Sequence, residues 1–326
     1  MNKLKVAVIY GGRSGEHEVS LRSAKAVMGA LDPERFEVMP FLIGKDGKWD
    51  PYPLKPEPGA HAEIDVVFPV LHGTFGEDGT MQGLLELADL AYVGPGVLAS
   101  AAAMDKDHFK RVCVAAGLPV VEGVTLTAPD FGVEAVEERL EYPVFVKPCN
   151  LGSSVGVGKA RDRGELEAAV RNAAQYDHKV LVERAVTGQE VECAVLGNDA
   201  PVASTPCEIL PSQEFYDYED KYLLDAARTE LPARLPPEVL EAVKTLAVEC
   251  YRAIGCAGLA RVDFFVESGT GRIYINELNT LPGFTSISMY PKMWEHDGVG
   301  FARLVERLLE LGMERHRKRR MLRFER

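Results

Sequence analysis

The sequence predicts a small parallel α/β domain followed by a larger α+β region. Strand and helix alternate through the first hundred residues, as a parallel sheet with crossover helices requires. Beyond Met104 long amphipathic helices are interleaved with runs that read as antiparallel strands. The length of 326 residues is also that of two or three domains.

The first domain, residues 1–103, opens on an apolar strand from Lys5 to Tyr10 that enters the turn G-G-R-S-G-E-H-E. Val19, Leu21, Ala24, Val27, Met28 and Leu31 then recur at helical spacing. Glu37 to Ile43 is a second strand, and residues 44–62 form a loop or ragged edge rich in Pro, Gly and Lys. A third strand, D-V-V-F-P-V-L, leads into L-H-G-T-F-G-E-D-G-T.

The central part, residues 104–184, begins with an amphipathic helix from Asp105 to Gly117, stopped by that glycine and by Pro119. A strand at Val144 to Lys147, a Gly/Ser-rich turn, a helix from Arg163 to Gln175 and the strand V-L-V-E follow. The C-terminal part, residues 185–326, starts with antiparallel strands to 211. Residues 212–231 are polar, tyrosine-rich and aperiodic, which reads as a lid or a disordered loop. A helix from Pro237 to Ile254, a hairpin over 259–279 and a last helix beyond Gly300 complete the chain, and no internal repeat occurs.

Composition narrows the function. Hydrophobic residues make up 46% and charged residues 26%, as in an ordinary soluble globular protein. No run of 18 apolar residues is present, which excludes a spanning helix, and the N-terminal apolar stretch is too short for a secretion signal. The net charge of −12 argues against a broad nucleic-acid surface. The tail from Arg315 to Arg326 is the exception, with seven Lys/Arg and one acid; it reads as the solvated end of a last helix, where cations suit the dipole. Six cysteines without a C-x-x-C pair read as reduced thiols in a cytosolic core.

The hairpin carries the most chemical information. Side chains alternate along a strand, so Arg261 and Asp263 share one side of its first arm, and Glu277 and Asn279 share one side of the second. Pairing about the turn S-G-T-G brings Asp263 close to Glu277. Buried carboxylates so placed repel unless a cation lies between them, and an oxygen-only set suits Mg²⁺ bound together with a substrate phosphate. A surface salt-bridge ladder is the alternative.

Two glycine-rich turns need separate readings. In V-F-V-K-P-C-N-L-G-S-S-V-G-V-G-K, a strand ends at Lys147 before a turn whose backbone amides and hydroxyls suit phosphate or a plain hairpin; Lys106 and Lys147 favour phosphate. It is not a Walker A loop, because Ser153 and Ala160 stand where that motif needs other residues. The first turn lacks the G-x-G-x-x-G spacing, which argues against a nicotinamide enzyme. Glu16 there either binds something or decorates a helix start. His72, lone after a strand, is by default a structural turn residue.

Seven ordered motifs, G-G-R-S-G-E-H-E-V-S, L-H-G-T-F-G-E-D-G-T, M-D-K, V-K-P-C-N-L-G-S-S-V-G, F-Y-D-Y-E-D-K-Y, R-V-D-F and N-E-L-N-T-L-P-G-F-T-S-I-S, resemble the ATP-grasp superfamily, and more closely the D-alanine–D-alanine ligases of peptidoglycan synthesis. The resemblance runs from about residue 4 to 312 and leaves the basic tail out. It implies an ATP-grasp fold, with ATP sandwiched between two antiparallel sheets, and a cytoplasmic homodimer formed through the N-terminal domain.

Residue roles follow by the same resemblance. Lys106 and Lys147 would hold the phosphates of ATP, Glu183 the adenine amino group and Glu190 the ribose, with Ser154 and Val186 among the nucleotide contacts. Asp263, Glu277 and Asn279 would bind two Mg²⁺, or Mn²⁺ in their place. Glu16 would pair with the ammonium of the first D-alanine, and Ser153 and Tyr222 would join it in closing a lid. Lys221 and Ser288 would contact the second D-alanine's carboxylate, with His72 as a further substrate contact. Arg261 and the backbone N–H of Gly283 would stabilise an oxyanion. The reaction implied is dipeptide formation through an acyl phosphate, and Tyr222 favours the peptide over the D-alanine–D-lactate ester. Another ATP-grasp carboxylate–amine ligase would share Lys147 and the metal set but not the pair Glu16 and Tyr222. A non-catalytic nucleotide-binding module would have lost metal ligands, and none is lost.

Overall fold

The structure, a computed structural model, describes residues 3–128, 131–210, 228–285 and 288–323. β1 (Leu4–Gly11), α1 (His17–Ala30), β2 (Phe36–Ile43), β3 (Trp49–Asp50) and β4 (Val66–Val70) build the first sheet, in the order β3-β2-β1-β4. β1 runs parallel to both β2 and β4, and the ragged edge at 44–62 contributes only the short antiparallel β3. Val6, Ala7, Val8 and Ile9 have no exposed surface, as expected where both faces of a parallel sheet are covered. One face packs on α1; the other packs on α2 (Thr80–Leu87) through Met81 and Leu85.

α3 (Val97–Met104) and α4 (Lys106–Ala115) are separated by Asp105, whose side chain caps α4 by accepting from His108 N at 3.0 Å. The helix predicted from 105 therefore forms, and Gly117, at φ +75°, turns the chain away after it. β5 (Gly123–Thr127), α5 (Glu134–Glu137), β6 (Val144–Pro148), β7 (Gly158–Ala160), α6 (Arg163–Ala173) and β8 (Lys179–Arg184) make an antiparallel sheet in the order β5-β8-β6-β7. α6 covers it with Leu166, Val170 and Ala173.

The second antiparallel sheet consists of β9 (Gly188–Gly197), β10 (Val202–Ala203), β11 (Cys207–Leu210), β12 (Arg228–Glu230), β13 (Gly258–Glu267) and β14 (Ile273–Asn279), ordered β12-β11-β9-β13-β14 with β10 on β9. α7 (Pro237–Ile254) packs behind it, and α8 (Met289–His296) and α9 (Phe301–Arg320) follow. Arg228–Glu230 corrects the expected loop: these residues pair with β11 as an edge strand. The remainder of the expected lid, residues 211–227, lies outside the described residues, and Lys221 and Tyr222 with it.

Packing crosses the expected 103 boundary twice. Ala99 and Ala103 of α3 sit in the core of the C-terminal sheet. Leu304, Val305 and Leu308 of α9 pack with Val66, Phe68 and Val27 of the first sheet and its helix. α9 passes so close to the chain after β4 that a side-chain carbon on Gly312 would lie 2.6 Å from Tyr92 O. The basic tail belongs to this contact and is not merely solvated. Arg315 stacks on the Tyr92 ring at 4.0 Å, His316 Nε2 lies 2.9 Å from Asp89 Oδ1, and Arg319 pairs with Glu86. Among the described residues no helix is long and apolar enough to cross a membrane.

Candidate active site

The two antiparallel sheets face each other across a cleft of about 480 Å³. All six residues expected to touch ATP (Lys106, Lys147, Ser154, Glu183, Val186 and Glu190) line it, and Ser153, Asp263 and Glu277 join them. A smaller hollow of about 30 Å³ adjoins it, sharing Lys106 and Glu277 and adding Glu77 and Asn279.

On β13 and β14 Asp263 lies near Glu277 as expected, directly opposite it, and Arg261 lies opposite Asn279. Across β13 on its other side, Asp263 faces Glu192 of β9. Three carboxylates thus occupy one row over three strands, where like charges oppose each other. Arg261 offsets part of this, holding both oxygens of Asp263 at 2.7 Å and Glu192 at 3.2 Å, while Lys106 lies 3.3 Å from Glu277. The register shifts after Asp263, so that Phe264 pairs with Ile275 and Asn276 is the extra residue of a bulge. Asn276 also lines the cleft, and its Oδ1 accepts from Lys147 Nζ at 3.3 Å.

Among the described residues no three His, Cys, Asp or Glu side chains converge as a metal cluster. The expected set contains two carboxylates and one amide. It is oxygen-only and short of the six ligands Mg²⁺ takes, so it fits an ion that also draws on substrate oxygens. Asn279 donates its amide nitrogen to Asp263 Oδ2 at 3.0 Å, and it would have to turn its oxygen inward to serve such an ion.

Glu183 lies at the base of the cleft, 2% exposed. One carboxylate oxygen pairs with Lys147 at 2.7 Å and the other with Lys110. Burial by itself would raise this carboxyl, but Lys110 and Lys147 outweigh it and hold it at about 2. Lys110 itself is pushed down by burial.

The third part of the site comes from the first sheet. Glu16 begins α1 without capping it. Its Oε1 instead accepts from Ser153 Oγ at 2.5 Å, which excludes simple decoration of a helix start. Ser153 and Ser154 both adopt positive φ, at 52° and 59°, which folds the Gly/Ser turn toward α1. Gly73 makes room for the carboxylate: a carbon added there would meet Glu16 Oε2 at 2.5 Å.

Gly283 and Ser288 also lie together, a carbon added to Gly283 falling 2.8 Å from Ser288 Oγ. Ser288 Oγ in turn accepts from Thr285 N at 3.0 Å. The first domain holds this loop by three bonds. Glu77 Oε1 accepts from Leu281 N at 2.9 Å, His72 Nδ1 donates to Leu281 O at 2.9 Å, and Phe284 N donates to Ser23 Oγ at 3.2 Å. Because Leu281 O can only accept, the His72 proton is on Nδ1, and Nε2 accepts from Ser23 Oγ at 3.0 Å. Burial pushes His72 below the usual imidazole value, in keeping with a neutral ring. His72 is buried with both ring nitrogens engaged, as a structural turn residue would be, and it positions the loop. Glu77 is pushed up to about 8 by burial and the nearby Glu16, against the pull of its two amide donors.

Sequence reasoning missed Ser23, Glu77, Lys110, Glu192 and Asn276. A lysine between Phe109 and Cys113 on the buried face of α4 was a legible signal for Lys110. Asn276 had none, because a bulge cannot be read from strand alternation.

Comparison with known proteins identifies the family. A family model described as D-ala D-ala ligase C-terminus covers residues 112–310, and its N-terminal counterpart covers 5–57 and 51–95. A protein named D-alanine--D-alanine ligase from Solibacter usitatus is 63% identical, over 99% of this chain and all of that one. The Escherichia coli protein named D-alanine--D-alanine ligase A is 45% identical over 97% of each. Among solved structures, the D-alanine-D-alanine ligase from Coxiella burnetii superposes with a TM-score of 0.88 at 37% identity, covering 98% of this chain and 97% of that one. The VanG D-Ala:D-Ser ligase from Enterococcus faecalis gives 0.87 at 38%, covering 95% and 100%. With a nucleotide-sized cleft between two antiparallel sheets, and with both family models matched in order along its length, the chain belongs to the D-alanine–D-alanine ligase family.

Proposed function

We propose that the protein joins two D-alanine molecules into D-alanyl-D-alanine, consuming ATP and releasing ADP and phosphate, as a step in making peptidoglycan precursors. One observation carries this beyond family membership: an acid of the first domain, Glu16 at the start of α1, meets Ser153 of the Gly/Ser turn at the edge of the cleft. A carboxylate there suits the ammonium of an amino acid whose own carboxylate faces the nucleotide.

A carboxylate oxygen is a poor leaving group, so the γ-phosphoryl of ATP first passes to the first D-alanine, forming an acyl phosphate. Lys106 and Lys147 draw the phosphates toward the acceptor and offset their charge. Asp263, Glu277 and Asn279 would hold two Mg²⁺, or Mn²⁺, which supply Lewis-acid neutralisation of phosphoryl charge when bound. The amine of the second D-alanine, already deprotonated, then attacks the acyl carbon; the carbon–oxygen bond to phosphate breaks, phosphate leaves, and the nitrogen gives up its extra proton to solvent. Arg261 and the Gly283 N–H are the donors for the intervening oxyanion, each such donor typically contributing about 3–4 kcal/mol. Ser288, beside Gly283, takes the second carboxylate. In the first domain Glu77, His72 and Ser23 keep the Gly283 loop in place. Lys221 and Tyr222, outside the described residues, keep the roles the resemblance implies, as second-carboxylate contact and lid.

The decisive experiment supplies ATP and Mg²⁺ with D-alanine, L-alanine, D-serine or D-lactate and identifies the product by mass. D-alanyl-D-alanine as the main product is expected. D-alanyl-D-serine or an ester as the main product would reassign the second substrate, and equal use of L-alanine would defeat the reading. A homodimer through the N-terminal domain belongs to the same proposal, supported by exposed Leu87 and Leu98 on α2 and α3, and sedimentation tests it. So does a cytoplasmic location, which the free state of all six thiols supports.

A further inference from the structure

We infer that Lys110 is a positioning residue for nucleotide binding: it is the fixed counter-ion of Glu183, and it allows Lys147 to exchange that carboxylate for a phosphate of ATP. The inference rests on the ATP-binding role proposed above.

The geometry gives the two lysines different freedom. Lys147, at the end of β6, lines the cleft; its Nζ also contacts Asn276 at 3.3 Å, next to the hairpin acids. Lys110 does not line the cleft. It lies behind Glu183 on α4, 7% exposed, and its Nζ also donates to Val121 O at 3.3 Å. Lys147 can therefore turn toward an incoming polyphosphate, whereas Lys110 has nowhere else to go.

The energetics make this division necessary. Removing one partner from a buried ion pair strands the other charge, a change that is strongly unfavourable. If Lys147 were the sole cationic partner of Glu183, every nucleotide that recruited Lys147 would leave a carboxylate without a countercharge at 2% exposure. With Lys110 in place, the carboxylate keeps a full countercharge before and after loading. The excess positive charge of the trio is then available to the phosphates.

The test measures Mg-ATP binding calorimetrically on the full chain and the KM for each substrate. Lys110→Met should weaken ATP binding by roughly tenfold to a hundredfold, since Lys147 stays locked on Glu183. The KM for D-alanine should hold within about twofold. Lys110→Arg, which keeps the charge, should recover most of the affinity. The double variant K110M/E183Q should bind ATP more tightly than K110M, because the stranded charge is gone. Wild-type-like ATP affinity in K110M, or no recovery in the double variant, overturns the inference. Should K110M fail to fold, E183Q is compared with K110M/E183Q. With no carboxylate to balance, the loss of Lys110 should then change affinity less than about threefold, and a tenfold loss overturns the inference. If the wild-type chain itself binds no Mg-ATP, the proposed function fails and not the role of Lys110 within it.

Discussion

Glu16 and Ser153 are joined by a 2.5 Å hydrogen bond across 137 positions of sequence, tying the start of α1 to the turn that borders the nucleotide cleft. Glu16→Gln keeps an acceptor for Ser153 but removes the charge proposed to meet an ammonium. Hydrogen bonds to charged groups contribute about 1.5–3 kcal/mol. The KM for the first D-alanine should therefore rise by roughly tenfold to a hundredfold with the KM for ATP nearly unchanged, as initial-rate kinetics with each substrate varied would reveal. An equal rise for both substrates would place Glu16 elsewhere in the reaction.

Ser23 makes no contact with the cleft, yet it accepts from Phe284 N and donates to His72. Ser23→Ala leaves a buried amide and a ring nitrogen without partners, at a cost of about 1–3 kcal/mol. The loop carrying Gly283 should loosen, and kcat should fall about tenfold while ATP affinity holds. A phosphinate analogue of the tetrahedral intermediate should bind correspondingly less well. An unchanged kcat would separate this loop from the chemistry.

Glu277→Gln removes one of the three carboxylates in or beside the row centred on Asp263. Lys106 would then outbalance its partner, and the site would lose its appeal to a divalent ion. Turnover should fall by more than the ~10–100-fold seen when an outer partner of a metal ligand is lost, with the Mg²⁺ concentration for half-activity raised. Full activity at ordinary Mg²⁺ would remove Glu277 from the metal set.

Acid stability should report on Glu183. Its folded value, about 2, lies below the ordinary 4.5, so the unfolded chain binds the proton more readily. The stabilisation is then complete above about pH 4.5 and is lost as pH falls toward 2. The difference amounts to about 3 kcal/mol. Denaturant melts of the wild type and of Glu183→Gln should differ by a constant amount above about pH 4.5 and converge as pH falls toward 2; parallel curves over that range would mean that the two lysines do not hold the charge.

Gly312→Ala tests the contact between α9 and the first sheet. The added carbon would meet Tyr92 O at 2.6 Å, so α9 must shift, costing about 1–3 kcal/mol. Thermal melting should register the loss with the basic residues beyond it untouched. A variant as stable as the wild type would show that the helix has room to move.

Much of the site was legible because it lies on regular elements. Pairing about the hairpin turn suffices to bring Asp263 near Glu277, although the bulge at Asn276 is what sets them directly opposite, and both acids stay partly exposed at the cleft. The link from Glu16 to Ser153 was readable only through the family resemblance, since no local rule joins a helix start to a turn 137 residues away. His72 read from its position as a structural turn residue, and the tertiary fold supplies the partners that no local pattern could name, Leu281 O and Ser23. The basic tail looked solvated because its partners, Glu86 and Asp89, lie more than 200 residues upstream.

The docking of α9 also bears on biosynthesis. Leu304, Val305 and Leu308 complete an apolar layer over β4 and α1, yet the ribosome adds them last among the groups they touch. The nascent first sheet must wait, greasy on one side, until α9 has been made and has left the ribosome. Halted or prematurely terminated synthesis before that point should yield sticky fragments needing chaperones rather than a free-standing first domain.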